Sequence, residues 1–545
     1  MSESTSTTAG AEGSSPANAK RVLAALIVVA AVANLNLSVA NVALPSIGKT
    51  FDSSQTMLDL IAIAYSLGLA ASVLWFGALG DRYGRKRMIV GGMLLSIPAS
   101  IVAGLAPSDT VLFGARIAGG LSAGMAYPTT LALITALWTG PARTRSIALW
   151  SALGGGVAML GPVTAGFILQ YFTWGVVFLV TVPLAILALV LAIRNVPAHV
   201  NESTETVDNI GGVLSAVMIG ALVVGLNFIP VASLQQVAIV LFVVAAVGVV
   251  LFVLRQQRAE NPLYDLKIAR RPTFWVAGLA GVIVFGSLMG IAFVNQQYLQ
   301  NVLGYNTLQA GAAILPAVVF MVLVAPRSAK LVQQVGSRAT LLIGQTVLAV
   351  TFLAMLLLWH EDTPYWVIAI PLAMMGIGVG IAGTPSSNSL TGSVPVTRVG
   401  MASGTADLQR DLGGALMSSI FGAALTAGYA AAMGSAIAAS GQDVTATTQS
   451  MLQLSYSSAA DLATQYPQYT DQILAAAKSS FLAGDNLAYI AGLVAVGIGI
   501  AVTFFLFPNH EQEQRLREEF AKEDGTPGPE TPAPVATDVP VPQGA

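Results

Sequence analysis

The sequence predicts an all-helical integral membrane protein with about fourteen transmembrane helices. Hydrophobic residues make up 55% of its 545 residues and charged residues only 10%, compared with about 25% charged residues in soluble domains. Apolar runs of about 18 residues or more recur along most of the chain, and each is long enough to cross a bilayer. These runs outweigh the chain length, which alone would suggest several soluble domains.

The expected spans follow the apolar runs in chain order. They are placed at 21–44, 57–79, 88–106, 110–135, 146–170, 174–193, 210–230, 236–254, 273–299, 308–326, 339–358, 365–386, 400–432 and 485–507. Bases collect in alternate connections, at 82–87, 143–145, 255–271, 327–338 and Arg398. Connections rich in Lys and Arg face the cytoplasm, so both termini are expected there, in a bacterial cytoplasmic (inner) membrane. The connection 195–209 fits least well, because its acids outnumber its bases.

The spans predict two six-helix bundles separated by two extra helices. The expected units are an N-tail at 1–20 without stable structure, a bundle at 21–194, two spans with flanking loops at 195–272, a second bundle at 273–507, and a C-tail at 508–545. Within the second bundle, 433–484 reads as a polar extracytoplasmic insert with a helical stretch near 472–482. The C-tail is expected to begin with a short helix and to continue without structure.

Composition also excludes several classes of function. The net charge of −2 gives no basic surface for nucleic acid, and a chain without cysteine has no thiolate ligand or thiol nucleophile. Residues 43–50 and 378–383 match loose P-loop and dinucleotide patterns, but neither lies in the strand–turn–helix context that those motifs require. We therefore expect no metal, no cofactor and no enzymatic activity, and we expect a monomer.

The stretch 77–87, Gly-Ala-Leu-Gly-Asp-Arg-Tyr-Gly-Arg-Lys-Arg, is the most informative connection. Gly80 and Gly84 would permit a tight turn, and Asp81 would pair with a neighbouring arginine or sit at a helix N-terminus. A plain positive-inside loop is the alternative. The stretch resembles the span 2–3 signature of the major facilitator superfamily, whose members are secondary transporters. That resemblance assigns a conformational switch to Gly77, Asp81, Arg82, Gly84, Arg85 and Lys86. A looser copy at 326–338 suggests an internal repeat.

Span 1 carries polar residues that are spaced as on one face of a helix. Asn34, Ser38 and Asn41 form this stripe, with Asn36 beside it, and the stripe would face a cavity or hold helices together by hydrogen bonds. The segment 35–45 resembles a signature of the fourteen-span drug:proton antiporters of this superfamily. In that family the position of Asn36 is usually Asp, so an ionisable group is missing here.

Spans 4 and 5 resemble two further signatures of this family. Arg116 lies about six residues inside span 4, where an arginine is costly unless it snorkels or finds a partner; the resemblance associates it with proton transfer, although Gly119 replaces a common Gln. In span 5, Gly161, Pro162 and Gly166 resemble the antiporter signature, with Ala165 in place of one glycine. Small residues let helices approach closely, and Pro162 kinks the helix.

Span 13 holds the densest charge within the membrane. Asp407, Arg410 and Asp411 lie on one helical face because they are three and four residues apart. One arginine cannot neutralise two carboxylates, so one acid would exchange protons; a self-paired structural cluster is the alternative. Asp59, near the outer end of span 2, is a further acid that would either face the substrate path or sit in a first helical turn.

The resemblance to the fourteen-span drug:proton antiporters implies a proton-coupled multidrug efflux antiporter in the lipid bilayer that exports lipophilic, cationic small molecules by alternating access. Its pocket would be lined by the span 1 stripe and by aromatic residues, namely Tyr65, Tyr127, Trp150, Phe293 and Tyr298. Two alternatives stay open. The chain could export one endogenous metabolite, lipid or siderophore, or it could be a membrane sensor or scaffold that does not transport.

Overall fold

A computed structural model describes residues 15–16, 18–53, 55–200, 203–229, 234–442 and 444–523. Throughout these ranges the regular structure is helical. The helices are α1 Ala19–Ser38, α2 Ala40–Phe51, α3 Gln55–Tyr83, α4 Arg85–Gly104, α5 Asp109–Leu137, α6 Gly140–Tyr171, α7 Gly175–Leu179, α8 Thr181–Asn195, α9 Asn209–Phe228, α10 Gln235–Arg258, α11 Leu266–Ala269, α12 Pro272–Asn301, α13 Thr307–Ala312, α14 Leu315–Leu358, α15 Tyr365–Gly392, α16 Val399–Ser440, α17 Ala446–Leu454, α18 Tyr456–Gln465, α19 Thr470–Leu506 and α20 His510–Glu523.

Fourteen spans are present in the described ranges, as predicted. Thirteen helical segments there are long and apolar enough to cross a membrane. One of them contains α14, whose 44 residues would extend about 66 Å as a single helix, roughly twice the thickness of the hydrocarbon core. The helix breaks at Gly336, which has a φ of 84°. Spans 1–14 are therefore α1, α3, α4, α5, α6, α7–α8, α9, α10, α12, the two parts of α14, α15, α16 and α19.

The two halves of the chain each have a glycine with a positive φ angle at corresponding connections. Gly84, with a φ of 108°, separates spans 2 and 3, and Gly336 separates spans 10 and 11. Both backbones are in the left-handed region, where glycine carries no steric penalty. After Gly336, the backbone N–H and hydroxyl of Ser337 donate to the Glu513 carboxylate of α20 at 3.2 and 2.7 Å. The internal repeat at 326–338 is thus a repeat of backbone geometry.

Packing contacts assemble two bundles and a peripheral pair. Spans 1–6 pack on one another and form the N-terminal bundle, and spans 9–14 form the C-terminal bundle in the same way. Helices α9 and α10 pack against each other, and α9 also packs against α3. The bundles meet mainly where α6 contacts α14 and where α16 contacts α3 and α5. We call the end of the molecule that carries Arg82–Arg87 and Arg398 the basic face, and the other end the opposite face.

The segment at 433–484 is more helical than the sequence indicates. Helix α16 continues to Ser440, α17 and α18 follow, and α19 begins at Thr470, so the stretch predicted at 472–482 belongs to the span 14 helix. Hydropathy marks only the part of a helix that lies in the bilayer, and therefore misses these polar extensions. The hydroxyl of Tyr429 in α16 donates to the carbonyls of Leu452 and Ser455 at 3.0 and 3.1 Å and ties the insert to span 13.

The tails agree with the sequence where they are described. The short helix expected after Pro508 is α20. The remainder of the predicted C-tail, from 524, and most of the N-tail, residues 1–14 and 17, lie outside the described residues.

Candidate functional site

The turn between spans 2 and 3 contains a single non-helical residue. Helix α3 runs to Tyr83 and α4 begins at Arg85, so Gly84 alone makes the turn. The expectation that Gly80 also shapes the turn is wrong, because Gly80 lies inside α3. Its lack of a side chain serves packing instead, since a Cβ atom there would lie 3.3 Å from Cγ of Met88.

Asp81 connects the two bundles at the basic face. One carboxylate oxygen accepts from Nε and Nη2 of Arg85 at 3.1 and 2.8 Å, and the other accepts from the backbone N–H of Gly400 at 2.7 Å. Gly400 lies in the first turn of α16, whose N-terminal end carries partial positive charge. Both interactions predicted for Asp81 therefore occur, and the helix terminus belongs to the other bundle.

Further contacts close the basic face around Asp81. A Cβ atom on Gly77 would lie 2.6 Å from the carbonyl oxygen of Gly400, so only glycine allows this approach. Arg85 also donates to the carbonyl of Val396 at 2.7 Å. Arg82 donates to the carbonyl of Ser203, and Lys86 to that of Ile193, at 3.1 and 2.8 Å.

The acidic connection 195–209 pairs with bases from other connections. Glu205 lies 3.0 Å from Arg398, which also bonds Asp265 at 3.2 Å. Asp208 caps α9 and lies 3.0 Å from Arg255. Burial acts to raise the pKa of Asp208, but hydrogen bonds from Arg255 and the neighbouring amides outweigh it and hold the pKa below its usual range. The acids of this connection thus balance the bases of the same face.

Arg410 of span 13 is the centre of a polar cluster between the bundles. It donates to the hydroxyl of Tyr127 at 3.0 Å and to Asp407 at 3.1 Å. Its other terminal nitrogen lies 3.3 Å from Ser151 and 3.2 Å from Ser387. We call this set, together with Asp411 and the surrounding rings, the Arg410 cluster.

Aromatic rings enclose the Arg410 cluster. The guanidinium carbon of Arg410 lies 4.7 Å from the ring centroids of both Trp150 and Phe285, and 5.9 Å from that of Tyr127. Trp150 and Tyr127 stack at 5.4 Å. The cluster therefore joins predicted pocket residues of the N-terminal bundle to predicted proton-coupling residues of the C-terminal bundle.

The carboxylates of the cluster are incompletely satisfied. Asp407 is 1% exposed, and its second oxygen has no hydrogen-bond donor. One oxygen of Asp411 is likewise buried without a donor. A buried ionised oxygen without a partner is costly, so binding of a proton would stabilise one of these carboxylates.

Asn36 and Arg116 form a second polar centre inside the N-terminal bundle. The side-chain oxygen of Asn36 accepts hydrogen bonds from the hydroxyls of Thr181 at 3.1 Å and Ser100 at 3.4 Å. The backbone carbonyl of Asn36 accepts a hydrogen bond from Arg116 at 2.6 Å. Spans 3 and 6 thus hold this amide in the interior. Asn36 is thus engaged in hydrogen bonds between helices of one bundle, and its predicted place in the substrate pocket stays a prediction.

Arg116 is buried without an acidic partner among the described residues. Its guanidinium packs 4.8 Å from the Tyr65 ring and 5.7 Å from the Phe178 ring, while two of its nitrogens have no hydrogen-bond acceptor. Tyr65 donates to the carbonyl of Ala33 at 3.0 Å. Snorkelling to water is excluded by the 2% exposure of Arg116.

Span 5 approaches span 1 through the predicted antiporter segment. A Cβ atom on Gly161 would lie 2.7 Å from Cβ of Ser38, and Pro162 lies inside α6. The Ser38 hydroxyl donates to the carbonyls of Asn34 and Leu35, and the same oxygen faces Gly161 so closely that a side chain there would collide with it. Gly166 faces Leu308 of α13, the short helix between spans 9 and 10 of the C-terminal bundle.

Other predicted residues are not brought into the Arg410 cluster. Phe293 is 45% exposed beside Gly422. Tyr298 is buried in the C-terminal bundle, where it donates to the carbonyl of His360 at 2.8 Å. The side chains of Asn41 and Asp59 lie outside the described part of the structure. Their roles stay predictions.

Several residues of the site gave no signal in the sequence. Ser151, Ser387 and Phe285 reach Arg410 from three different spans, and single polar or aromatic residues in an apolar helix do not reveal their partners. Asp485 could have been noticed in the sequence, because it is an acid at the first residue of the expected span 14. An acid at the end of a span is expected to reach water, so the sequence did not indicate that Asp485 is buried.

Comparison with known proteins agrees with this architecture. The model of the Major Facilitator Superfamily matches residues 26–418. The chain belongs to the major facilitator superfamily. It is 33% identical to the multidrug resistance protein Stp of Mycobacterium tuberculosis, over 73% of this chain and 74% of Stp. It is also 33% identical to the multidrug efflux pump LfrA of Mycolicibacterium smegmatis, over 75% of this chain and 80% of LfrA.

Solved structures of the superfamily share the fold. The human organic anion transporter MFSD10 superposes with a TM-score of 0.56 at 13% identity, covering 88% of this chain and 99% of that one. At this identity the likeness concerns the fold alone. The fourteen spans of the present chain are thus a major facilitator architecture.

Proposed function

We propose that the chain is a proton-coupled multidrug efflux antiporter that exports lipophilic cations by alternating access. The observation that carries the proposal is the Arg410 cluster, in which buried carboxylates with unsatisfied oxygens meet aromatic rings from both bundles. The names of Stp and LfrA support multidrug export as the activity of close relatives.

The chemistry of the cluster suits exchange of a proton for an organic cation. Arg410 now occupies the faces of Trp150 and Phe285, and aromatic faces attract cations in general. A substrate cation near these rings would compete with Arg410 and favour ionised Asp407 or Asp411. Protonation of the same carboxylate would remove that attraction and release the substrate, which couples inward proton flow to efflux.

The contacts at the basic face would break and re-form as the transporter alternates between its two states. With Asp81 bound to the N-terminus of α16, the bundles are closed at this face, which we assign to the cytoplasmic side on its excess of bases. Opening requires that contact to break, so Asp81 acts on the switch between states. On this proposal the proton gradient is the energy source, no cofactor or catalysis is involved, and one chain acts alone in a bacterial inner membrane with both termini in the cytoplasm.

Efflux of a fluorescent lipophilic cation from cells tests the proposal. Cells that express the protein should extrude the dye, and a proton uncoupler should abolish the extrusion. Chemically unrelated cations should compete with the dye. Dye extrusion that persists after collapse of the proton gradient would refute coupling, and competition by only one compound class would favour a single-substrate exporter.

A further inference from the structure

Asp485 of span 14 is a second buried acid, and the Arg410 cluster does not include it. Its side chain is 1% exposed, and neither carboxylate oxygen has a hydrogen-bond donor. The Arg410 cluster draws its residues from spans 4, 5, 9, 12 and 13, whereas Asp485 lies on α19.

Three aromatic residues mark its surroundings near the opposite face. Tyr489 follows Asp485 by one helical turn, Tyr298 is near the end of α12, and Trp359 follows the end of α14. Trp359 stacks on Tyr298 at 5.1 Å and meets the Tyr489 ring edge-on at 5.7 Å. The Tyr489 hydroxyl and the Trp359 ring nitrogen are also buried without partners. The Asp485 carboxylate and the Tyr489 hydroxyl, one turn apart on α19, are therefore both unsatisfied, and the Trp359 ring packs on the Tyr489 ring.

Close helix packing seals this place. A Cβ atom on Gly428 of α16 would lie 2.7 Å from Cα of Gly484, the residue before Asp485. Spans 13 and 14 can thus approach only because both residues are glycine. Leu425 of α16 covers the same contact.

The charges that face Asp485 are few. Its electrostatic neighbours are the phenols of Tyr489 on its own helix and Tyr298 on α12. Neither α16 nor α14 nor α18 presents an ion-pair partner to it within the described residues. An ionised carboxylate in such a setting carries a desolvation penalty that no partner offsets.

We propose that Asp485 is a second proton-binding site, on the opposite face of the C-terminal bundle, occupied while spans 13 and 14 are packed together. When these helices separate, a carboxylate oxygen exchanges its proton with water at that face; on repacking it takes a proton from hydronium. Span 13 carries both Gly428 and Arg410, so protonation of Asp485 would depend on the position of the helix that carries Arg410. This dependence rests on the proposed function, whereas proton binding itself does not.

The proton is favoured over an organic cation because the rings leave no gap. Tyr298 and Trp359 are nearly parallel, 6° apart, at 5.1 Å between centroids, which leaves no room for a cation between their faces. A site for an organic cation would instead require the Tyr298 and Trp359 rings to be farther apart.

Infrared spectroscopy of the purified full-length protein tests the site directly. The carboxylic-acid C=O band of a protonated buried acid should be present near neutral pH and should lose the Asp485 component in Asp485→Asn, which is isosteric. Asp471→Asn is the matched control, because Asp471 is an exposed acid on the same helix, and the band should be unchanged. The component should persist in an Asp407→Asn/Asp411→Asn background, which separates it from the Arg410 cluster.

Two results would overturn the proposal. The first is an unchanged carboxylic-acid band in Asp485→Asn that elutes as the wild type does on size exclusion. The second is loss of tetraphenylphosphonium binding in Asp485→Asn without a change in the band, which would make Asp485 the counter-charge of an organic cation. Failure of the proposed function, by contrast, would abolish uncoupler-sensitive efflux and leave the band in place.

Discussion

At the scale of single residues, the polar residue of interest in span 1 is an asparagine, Asn36, where the resemblance to the drug:proton antiporters implies an aspartate. Asn36 cannot carry a proton, and the structure engages it with Thr181, Ser100 and Arg116 inside one bundle. Asp407 and Asp411 instead lie where the two bundles meet, against Arg410. The proton site of this chain is therefore expected on span 13.

Neutralising either span 13 acid should uncouple transport. Asp407→Asn and Asp411→Asn should abolish efflux driven by a pH gradient in proteoliposomes but preserve binding of the dye within about threefold, roughly 0.7 kcal/mol, because the aromatic faces remain. Asp461→Asn, an exposed acid of the insert, is the control and should behave as the wild type. Uncoupler-sensitive efflux in both span 13 variants would place coupling elsewhere, with Asp59 the next candidate.

At the scale of helices and turns, the switch segment acts through a helix terminus. Asp81 bonds the first turn of α16, the helix that also carries Arg410. The turn thus contacts the N-terminal end of α16 and does not contact the Arg410 cluster.

Loss of the Asp81 charge should therefore slow the change of state. Removing a charge-assisted hydrogen bond costs about 1.5–3 kcal/mol and weakens the closed basic face. Asp81→Asn should therefore slow the closing of this face, lower turnover by about tenfold or more, and leave substrate affinity within about threefold. Stopped-flow dye efflux and equilibrium dye binding measure the two quantities. A large loss of affinity at normal turnover would contradict this assignment.

Glycine at the same contact allows a steric test. In Gly77→Val the side chain would collide with the Gly400 carbonyl, which lies 2.6 Å from a Cβ at this position, so the basic face should stay open. Gly114→Val is the control, because nothing lies within 4 Å of a Cβ there. A cysteine introduced at Ser403, which is fully buried behind the closed face, should react faster with a thiol reagent in Gly77→Val than in Gly114→Val. Equal rates would mean that this contact does not control opening.

The sequence predicts helices better than it predicts partners. Hydropathy gives the number of spans because every backbone polar group must be satisfied within a spanning helix, and the position of Gly336 agrees with the loop expected between spans 10 and 11. The contact of Asp81 with Gly400 joins residues 319 positions apart, and no local pattern specifies such a pairing. Gly80 was misread because a glycine in a helix and one in a turn look the same in the sequence.

At the scale of the whole molecule, orientation follows from charge. Arg398 joins Glu205 and Asp265 at the same face that holds Asp81 and Arg85, so bases and their acidic partners gather at one end of both bundles. The insert of α17 and α18 lies beyond the other ends of spans 13 and 14. The positive-inside rule then predicts that the basic face lies in the cytoplasm and the insert outside.

Cysteine labelling of intact cells tests this orientation, since the chain has no cysteine of its own. Ser450→Cys on α17 and Thr204→Cys at the basic face are a matched pair, because both side chains are exposed. An impermeant thiol reagent should label Ser450→Cys in intact cells, and Thr204→Cys only after permeabilisation, because the bilayer and the closed bundles block access to the second position. The reverse pattern would invert the topology and place the basic face, with both described ends of the chain, outside the cytoplasm.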